Sequence, residues 1–310
     1  MNKKKNKNSK KHKEHKEIKL LVIGDLHGQL PTISFSNFDA IILHGDVCKD
    51  GGKEYIWRAM TWNANHPNAK KKKQWYDYCG KKKARAIIND NVSIGRKILE
   101  HLSTYQKPIF LVPGNWDYKT TDKKMQETAL SKQDLYSILA KGLNRVHDCF
   151  RTHRSFKGFS IIGNGVMSAP ERKGVPYGYE YWRQPLERHF KNAKLRRQPI
   201  IYLNHDVPYL CMDQITNKQS PAFGRHYGSK VARDLIVEYA PLLCIGGHIH
   251  EHYGTKRIGK TIVLNAGFGR EKNTLITLKQ GKVTRIEYAT RPWSGNVNLQ
   301  HSEKKLSRKR

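Results

Sequence analysis

The chain predicts an α/β fold built on a buried, largely parallel sheet, and three observations carry that prediction. Apolar runs of strand length recur at residues 20–23, 39–43, 108–112, 200–203 and 242–245. They are near-continuous rather than alternating, as in strands covered on both faces. Helical periodicity fills at least two of the intervals, at 91–105 and 229–239, which is the order of parallel βαβ units. Finally, each run finishes in Gly or Asn and then in Asp, Asn or His, at the edge where open α/β sheets bind ligands.

The first run organises the rest. Residues 20–28 read Leu-Leu-Val-Ile-Gly-Asp-Leu-His-Gly, so a strand breaks at Gly24 and delivers Asp25 and His27 side by side at its C-terminal end. Alone, this pair favours a bland reading, a helix-capping Asp and a turn His. Repetition reverses the balance. The second run leads into His44-Gly45-Asp46 and the third into Pro113-Gly114-Asn115-Trp116-Asp117. The fourth leads into Asn204-His205-Asp206 and the fifth into Gly246-Gly247-His248-Ile249-His250. These are carboxylate, amide and imidazole donors without Cys, a set that suits manganese, iron, zinc or a mixture rather than a structural zinc knot.

In order and spacing the five motifs resemble the calcineurin-like metallophosphoesterase family, whose pattern runs Asp-x-His, Gly-Asp, Gly-Asn-His-Asp, a His, and Gly-His-x-His. The resemblance spans residues 18 to about 269. It implies a four-layer αββα sandwich, two mixed β-sheets packed face to face and flanked by helices. It also implies two divalent metal ions, manganese first, with iron, zinc or nickel as alternatives. Asp25, His27 and His250 would hold one ion, Asn115, His205 and His248 the other, and Asp46 would bridge them. The activity implied is hydrolysis of a phosphomonoester or phosphodiester by in-line attack of a metal-bridging hydroxide.

One position departs from the pattern. Trp116 stands where many members carry a His that steadies the transition state or protonates the leaving group, and an indole N–H is not a usable acid. His44 is a candidate substitute, with a buried, backbone-bonded His as the commoner alternative. Asp117 reads as a residue that orients its neighbours. The competing reading is a catalytically weak or inactive scaffold of this fold that binds nucleic acid or protein partners. Such scaffolds lose metal ligands, whereas all seven donor positions are filled here.

Charge sets the outer bounds. Of the formal +32, the Lys-rich arm at 1–17 contributes +6 and the tail at 293–310 contributes +4. The remaining +22 belongs to the body, residues 18–292, which is read as one metallophosphoesterase domain. Such a body attracts polyanions in a salt-dependent manner; a generally Lys-rich proteome is the other explanation. The arm reads as disordered, or as a polyanion-binding segment or nuclear address. Five cysteines without regular pairing read as reduced thiols, and a cytoplasmic location is the default, nuclear in a eukaryotic or viral host. No stretch is long and apolar enough for a bilayer, so a membrane is not an expected partner.

A basic, aromatic insertion is expected at about 49–90, with the crossover helix following at 91–105. The insertion interleaves Trp57, Trp62, Trp75, Tyr76 and Tyr78 with Lys70, Lys71, Lys72, Lys73, Lys81, Lys82 and Lys83. That mixture grips single-stranded nucleic acid or forms a hydrophobic cluster under a solvated loop. Residues 131–143 read as a helix capped by Ser131 and Asp134. The loop 168–181 carries Arg172, Lys173, Tyr177 and Tyr179 within reach of a substrate, or is an ordinary surface loop. A strand is expected at 159–162 and a helix at 229–239. Strands at 260–264, 274–278 and 283–288 are expected to close the second sheet as a meander.

Overall fold

The computed structural model describes residues 16–120, 123–165, 170–220 and 222–290. Most of the N-terminal arm, the whole C-terminal tail and residues 168 and 169 of the loop lie outside them. In chain order the elements are β1 (Ile18–Ile23), β2 (Ala40–Leu43), α1 (Lys53–Asn65), α2 (Lys81–Ser103), β3 (Ile109–Leu111), α3 (Lys123–Thr128), α4 (Leu135–Ala140), β4 (Val146–Asp148), β5 (Thr152–Phe156), β6 (Phe159–Gly163), α5 (Tyr179–Leu195), β7 (Ile200–Asp206), α6 (Lys230–Tyr239), β8 (Leu243–Gly247), β9 (Gly254–Ile258), β10 (Thr261–Asn265), β11 (Lys272–Lys279) and β12 (Lys282–Thr290).

Two mixed six-stranded sheets result, ordered β12-β11-β1-β2-β3-β4 and β5-β6-β7-β8-β10-β9. The strand period of two explains the layers. On β1, Ile18, Leu20 and Val22 join Ile161, Ile201, Leu203 and Ile245 of the second sheet in the central core. Leu21 and Ile23 point the other way, against Ile88, Ile98, Leu99 and Leu102 of α2. On the far side, Tyr202, Cys244 and Val263 meet Trp182, Leu186 and Phe190 of α5 and Leu235 of α6. Both sheets are therefore covered on both faces by one helical layer and by each other, the four layers expected.

Several expectations need correction. The crossover helix begins at Lys81, not at 91. Its buried stripe starts at Ala84 and Ile88, and the surrounding charge masks that period. The helix expected at 131–143 is only Leu135–Ala140. Ser131 Oγ is engaged in a local turn with Gln133, and Asp134 binds Lys119 Nζ and Thr120 N instead of capping. The closing strands divide between sheets: β10 pairs with β8 and β9, while the β11–β12 hairpin joins the first sheet because β11 runs antiparallel to β1. Strands β4, β5 and β9 and helix α5 stand where the sequence carries no expectation of an element.

The five cysteines are unpaired. Among the described residues no helix is long and apolar enough to cross a membrane. Leu203, fully buried between the sheets two residues before His205, tests the central core. Leu203→Ala should cost about 2–5 kcal/mol, read in urea as a lower midpoint with an unchanged slope.

Candidate metal centre

The predicted donors lie at or just beyond the C-terminal ends of β1, β2, β3, β7 and β8, in backbone the strands cannot simply continue. Asp25, His27, Asp46 and His248 have φ of 47°, 45°, 51° and 68°, the left-handed region that costs an L-residue roughly 1–2 kcal/mol. An extension of the β1–β2 ladder holds three of them. Asp25 N donates to Gly45 O at 2.9 Å, His27 N to Asp46 O at 2.9 Å and Gly28 N to Val47 O at 3.2 Å. The fourth is tied across the sheets, His248 N donating to Asp25 Oδ2 at 2.8 Å. Glycines permit the close approach: a Cβ at Gly247 would stand 2.1 Å from His44 Cε1, and one at Gly114 would stand 2.1 Å from Asp46 Oδ1.

Three sets of side chains converge, one of them Asp25 with His44 and His205; the other two divide the predicted donors between them. Asp25, His27 and His250 offer ligand atoms within 4.8 Å of one another, and so do Asp46, His205 and His248. Asp46 lies between the groups, its Oδ2 3.8 Å from His27 Nε2 and 3.5 Å from His205 Nε2. Asn115 Oδ1 is 2.9 Å from His205 Nε2, which brings the amide into the second group. His248 and His250 reach their places through a turn rather than on an extended strand, since β8 ends at Gly247 and His250 opens a short 3-10 helix. They consequently join different groups.

These donors fit cations, and the fit is visible in their mutual conflicts. His205 Nδ1 lies 2.9 Å from the His44 carbonyl and must donate to it, so in the neutral ring Nε2 carries a lone pair. That lone pair faces the Asn115 and Asp46 oxygens. His27 Nε2 and His250 Nε2 are 3.4 Å apart, and Asp25 Oδ1 and His27 Nδ1 are buried with no hydrogen-bond partner. Facing acceptors repel unless positive charge lies between them. Ligands about 2.1 Å from a shared ion stand roughly 3–3.5 Å apart, close to the separations found.

Burial shapes the protonation of the set. It depresses the His27 and His44 imidazoles to about 4 and His248 to about 3, against the pull of Asp25. Burial raises the Asp25 carboxyl, but His44, His250 and His205 outweigh it and hold the group below the usual range. Asp46 moves the other way, pushed well up by burial and by the charges of Asp117 and Asp25. His250 is lowered by burial but raised overall by its bond to Asp25 and the Asp25 and Asp46 charges.

The sequence matches the calcineurin-like phosphoesterase family over residues 18–252. The chain belongs to that family. Its similarity reaches the uncharacterized protein MJ1162 of Methanocaldococcus jannaschii at 22% identity over 253 residues, covering 80% of this chain and 87% of that one. One crystal structure shares the fold with a TM-score of 0.58 at 17% identity, over 89% of this chain and 99% of the other. The protein TT1561 of Thermus thermophilus is similar at a TM-score of 0.46 and 17% identity, over 89% and 99% of the two chains.

Around this calcineurin-like phosphoesterase centre the two remaining candidates take distinct places. Asp117 is fully buried and accepts from Val47 N, Cys48 N and Gly114 N at 2.8, 2.9 and 2.8 Å. It clamps the loops that carry Asp46 and Asn115. His44 is also fully buried, its Nδ1 3.8 Å from Asp25 Oδ2. Trp116 donates its backbone N–H to Asp46 Oδ1 at 2.7 Å, and its indole meets His27 edge-on.

Sequence reasoning missed Phe268, which stacks against His250 at 5.6 Å and lies 6.1 Å from His27. The signal was the run Asn265-Ala266-Gly267-Phe268-Gly269 after β10, whose Gly269 N bonds Gly24 O.

Metal binding to the metal-free chain should release protons near neutral pH. They come from the groups whose values are raised, Asp46 and His250, rather than from His27 and His248, whose values are lowered to about 4 and about 3. Release should shrink, and affinity climb, as pH rises past those elevated values. Calorimetry in buffers of differing ionisation heat measures this, and proton release that stays constant with pH would contradict it.

Proposed function

We propose that this chain hydrolyses phosphoric esters, with two divalent ions held by Asp25, His27, Asp46, Asn115, His205, His248 and His250. The observation that supports it is the meeting of imidazole nitrogens and carboxylate oxygens, drawn from both sheets, around Asp46 Oδ2. Manganese is proposed first, matched to the carboxylate and amide oxygens, with iron, zinc or nickel matched to the imidazoles. Two divalent ions held by these residues would supply the charge that acidifies a water and neutralises phosphoryl oxygens, in support of in-line attack on a mono- or diester.

The chain's own groups orient and exclude. The Trp116 N–H anchors Asp46 Oδ1 and leaves Oδ2 between the donor groups. The His44 carbonyl sets the His205 tautomer. Asn115 is exposed, and Trp116 and Phe268 are half-buried, so these residues frame the side from which an ester approaches. His44 has no exposure and is neutral at pH 7, which supports a positioning role beneath Asp25 rather than proton donation. With Trp116 at the rim in place of an acid, the leaving group departs largely as an anion. The unpaired cysteines favour a reducing, cytoplasmic setting.

Metal analysis and turnover of a nitrophenyl monoester and the matching diester test this reading. Two manganese ions per chain are expected, with activity lost in EDTA and restored by metal. Asp46→Asn should reduce turnover by roughly three orders of magnitude and Asp117→Asn by roughly 10–100-fold. Neither bound metal nor turnover of either ester would leave only a binding scaffold.

The rim predicts a leaving-group effect as well. Nitrophenyl esters should far outpace alkyl esters, and Trp116→His should narrow that gap by accelerating the alkyl esters. An equal rate for both ester types in the unmodified chain would mean that another group donates the proton.

A further inference from the structure

Helix α1 and the loop after it do something the metal centre does not require. The helix is anchored by little: Ala59 is its one buried residue, with Tyr55 and Ile56 packed on the core from the same side. Its other side lines an open groove of about 400 Å³, bounded by Trp57, Arg58, Trp62, Asn65, His66 and Tyr78. Spacings of four place 57, 61 and 65 in one row and 58, 62 and 66 in the next, so the groove follows the helix axis. Trp57 is 48% exposed, and Trp62 and His66 lie as nearly parallel plates with centroids 4.2 Å apart. By contrast Trp75, from the same aromatic-rich stretch, is a core residue whose Nε1 donates to Thr128 O.

Cations line these rings. The Arg58 guanidinium lies 4.6 Å from the Tyr78 ring centre and Lys73 Nζ lies 5.9 Å from that of Trp62. The loop bearing the lysines is fixed to the helix: Lys73 N donates to Asn63 Oδ1, Asn63 Nδ2 to Lys73 O, and Lys72 Nζ to the carbonyls of His66 and Pro67. Lys70, Lys71, Lys73, Lys81 and Lys82 form no salt bridge among the described residues. Of the nearby carboxylates, Asp77 accepts from Gln74 N within its own turn, and Glu54 lies in the first turn of α1.

We propose that this groove docks single-stranded nucleic acid, bases stacking on Trp57 and Trp62 and phosphates meeting the lysines of the loop. Flat, partly exposed rings recognise the π-faces of bases without regard to sequence, and a preset row of cations follows the backbone. A duplex hides its base faces, and a polyanion without bases uses only the lysines. The chain runs from Asp46 through Lys49, beside Gly28, into α1, so a short segment of backbone joins the groove to the metal centre. The docking itself does not depend on the phosphoesterase reading.

The test is fluorescence anisotropy of a labelled fifteen-nucleotide oligothymidylate against the full chain in EDTA, where metal-dependent cleavage is silent. Binding with quenched tryptophan emission is expected. Trp57→Ala should weaken it by about fivefold or more, and Trp57→Ala with Trp62→Ala further still. Replacing Lys70, Lys71 and Lys73 with Gln should flatten the salt dependence by about 0.7 in slope for each lysine that meets a phosphate. Should the double variant lose its circular dichroism spectrum, Trp57→Ala, at an exposed site, decides alone. Unchanged affinity in Trp57→Ala overturns the proposal. So does equal competition by heparin or duplex DNA without tryptophan quenching, which would leave a surface that senses charge only. Absence of ester turnover in the manganese-loaded chain bears on the metal centre and leaves this result untouched.

Discussion

The backbone bonds that carry the β1–β2 ladder past the ends of both strands are the constraint on which the rest of this structure depends. Asp25, His27 and Asp46 occupy left-handed backbone that an isolated loop would abandon. They stay because Asp25 N, His27 N and Gly28 N find carbonyl partners on the neighbouring loop, at Gly45, Asp46 and Val47. The strands beneath have no freedom to slip, since a shift by one residue would turn Leu20 and Val22 from the central core toward the helices. Apolar burial between the layers therefore fixes the polar geometry at the rim. The strain is local, and its support is spread through the sandwich.

Charge at the centre follows a second rule. The protein carries +32 overall, yet the salt-bridge partners of Asp25 and Asp46 are imidazoles, with no Lys or Arg among them in the described residues. Asp117 is satisfied by amides, and both oxygens of the buried Asp206 have no hydrogen-bond partner. Buried carboxylates without cations are costly. A lysine there would relieve that cost and would also occupy the space between the donors. Imidazoles in place of ammonium or guanidinium groups leave the space between the donors open, a space that a divalent ion fits and a lysine would have pre-empted.

Much of this was legible in the sequence because each donor follows a continuous apolar run, and burial on both faces is the only environment that makes such runs stable. The five motif strands appear within a few residues of their expected positions, and their donors meet. Other features were hidden for physical reasons. Helix α2 starts ten residues early because Lys81, Lys82 and Lys83 are exposed at its first turn and carry no apolar signal. Strands β4 and β5 are half-buried edges whose pattern is not apolar. His248 and His250 suggest a shared face if the strand continues, and the left-handed φ at His248 sends them to separate groups. The sheet that receives β11 and β12 is a long-range pairing, which alternation within those strands cannot encode.

The same distinction between local pattern and distant field bears on the basic exterior. At physiological salt, charges more than about 8 Å apart through solvent are largely screened from each other. Trp62 lies roughly 14 Å along α1 from the start of the helix, so the lysines of its loop act on the centre little through their field. What they share with it is a connection of chain: Asp46 ends one segment of backbone whose other end is α1. Basic residues over the whole body raise the local concentration of polyanions, but they do not choose among them. Selection requires contact, and in the region around α1 the contacts on offer are ring faces paired with fixed cations. A surface evolved only to be positive would gain nothing from leaving Trp57 half in water, since an exposed indole adds no charge and loses the burial that Trp75 enjoys.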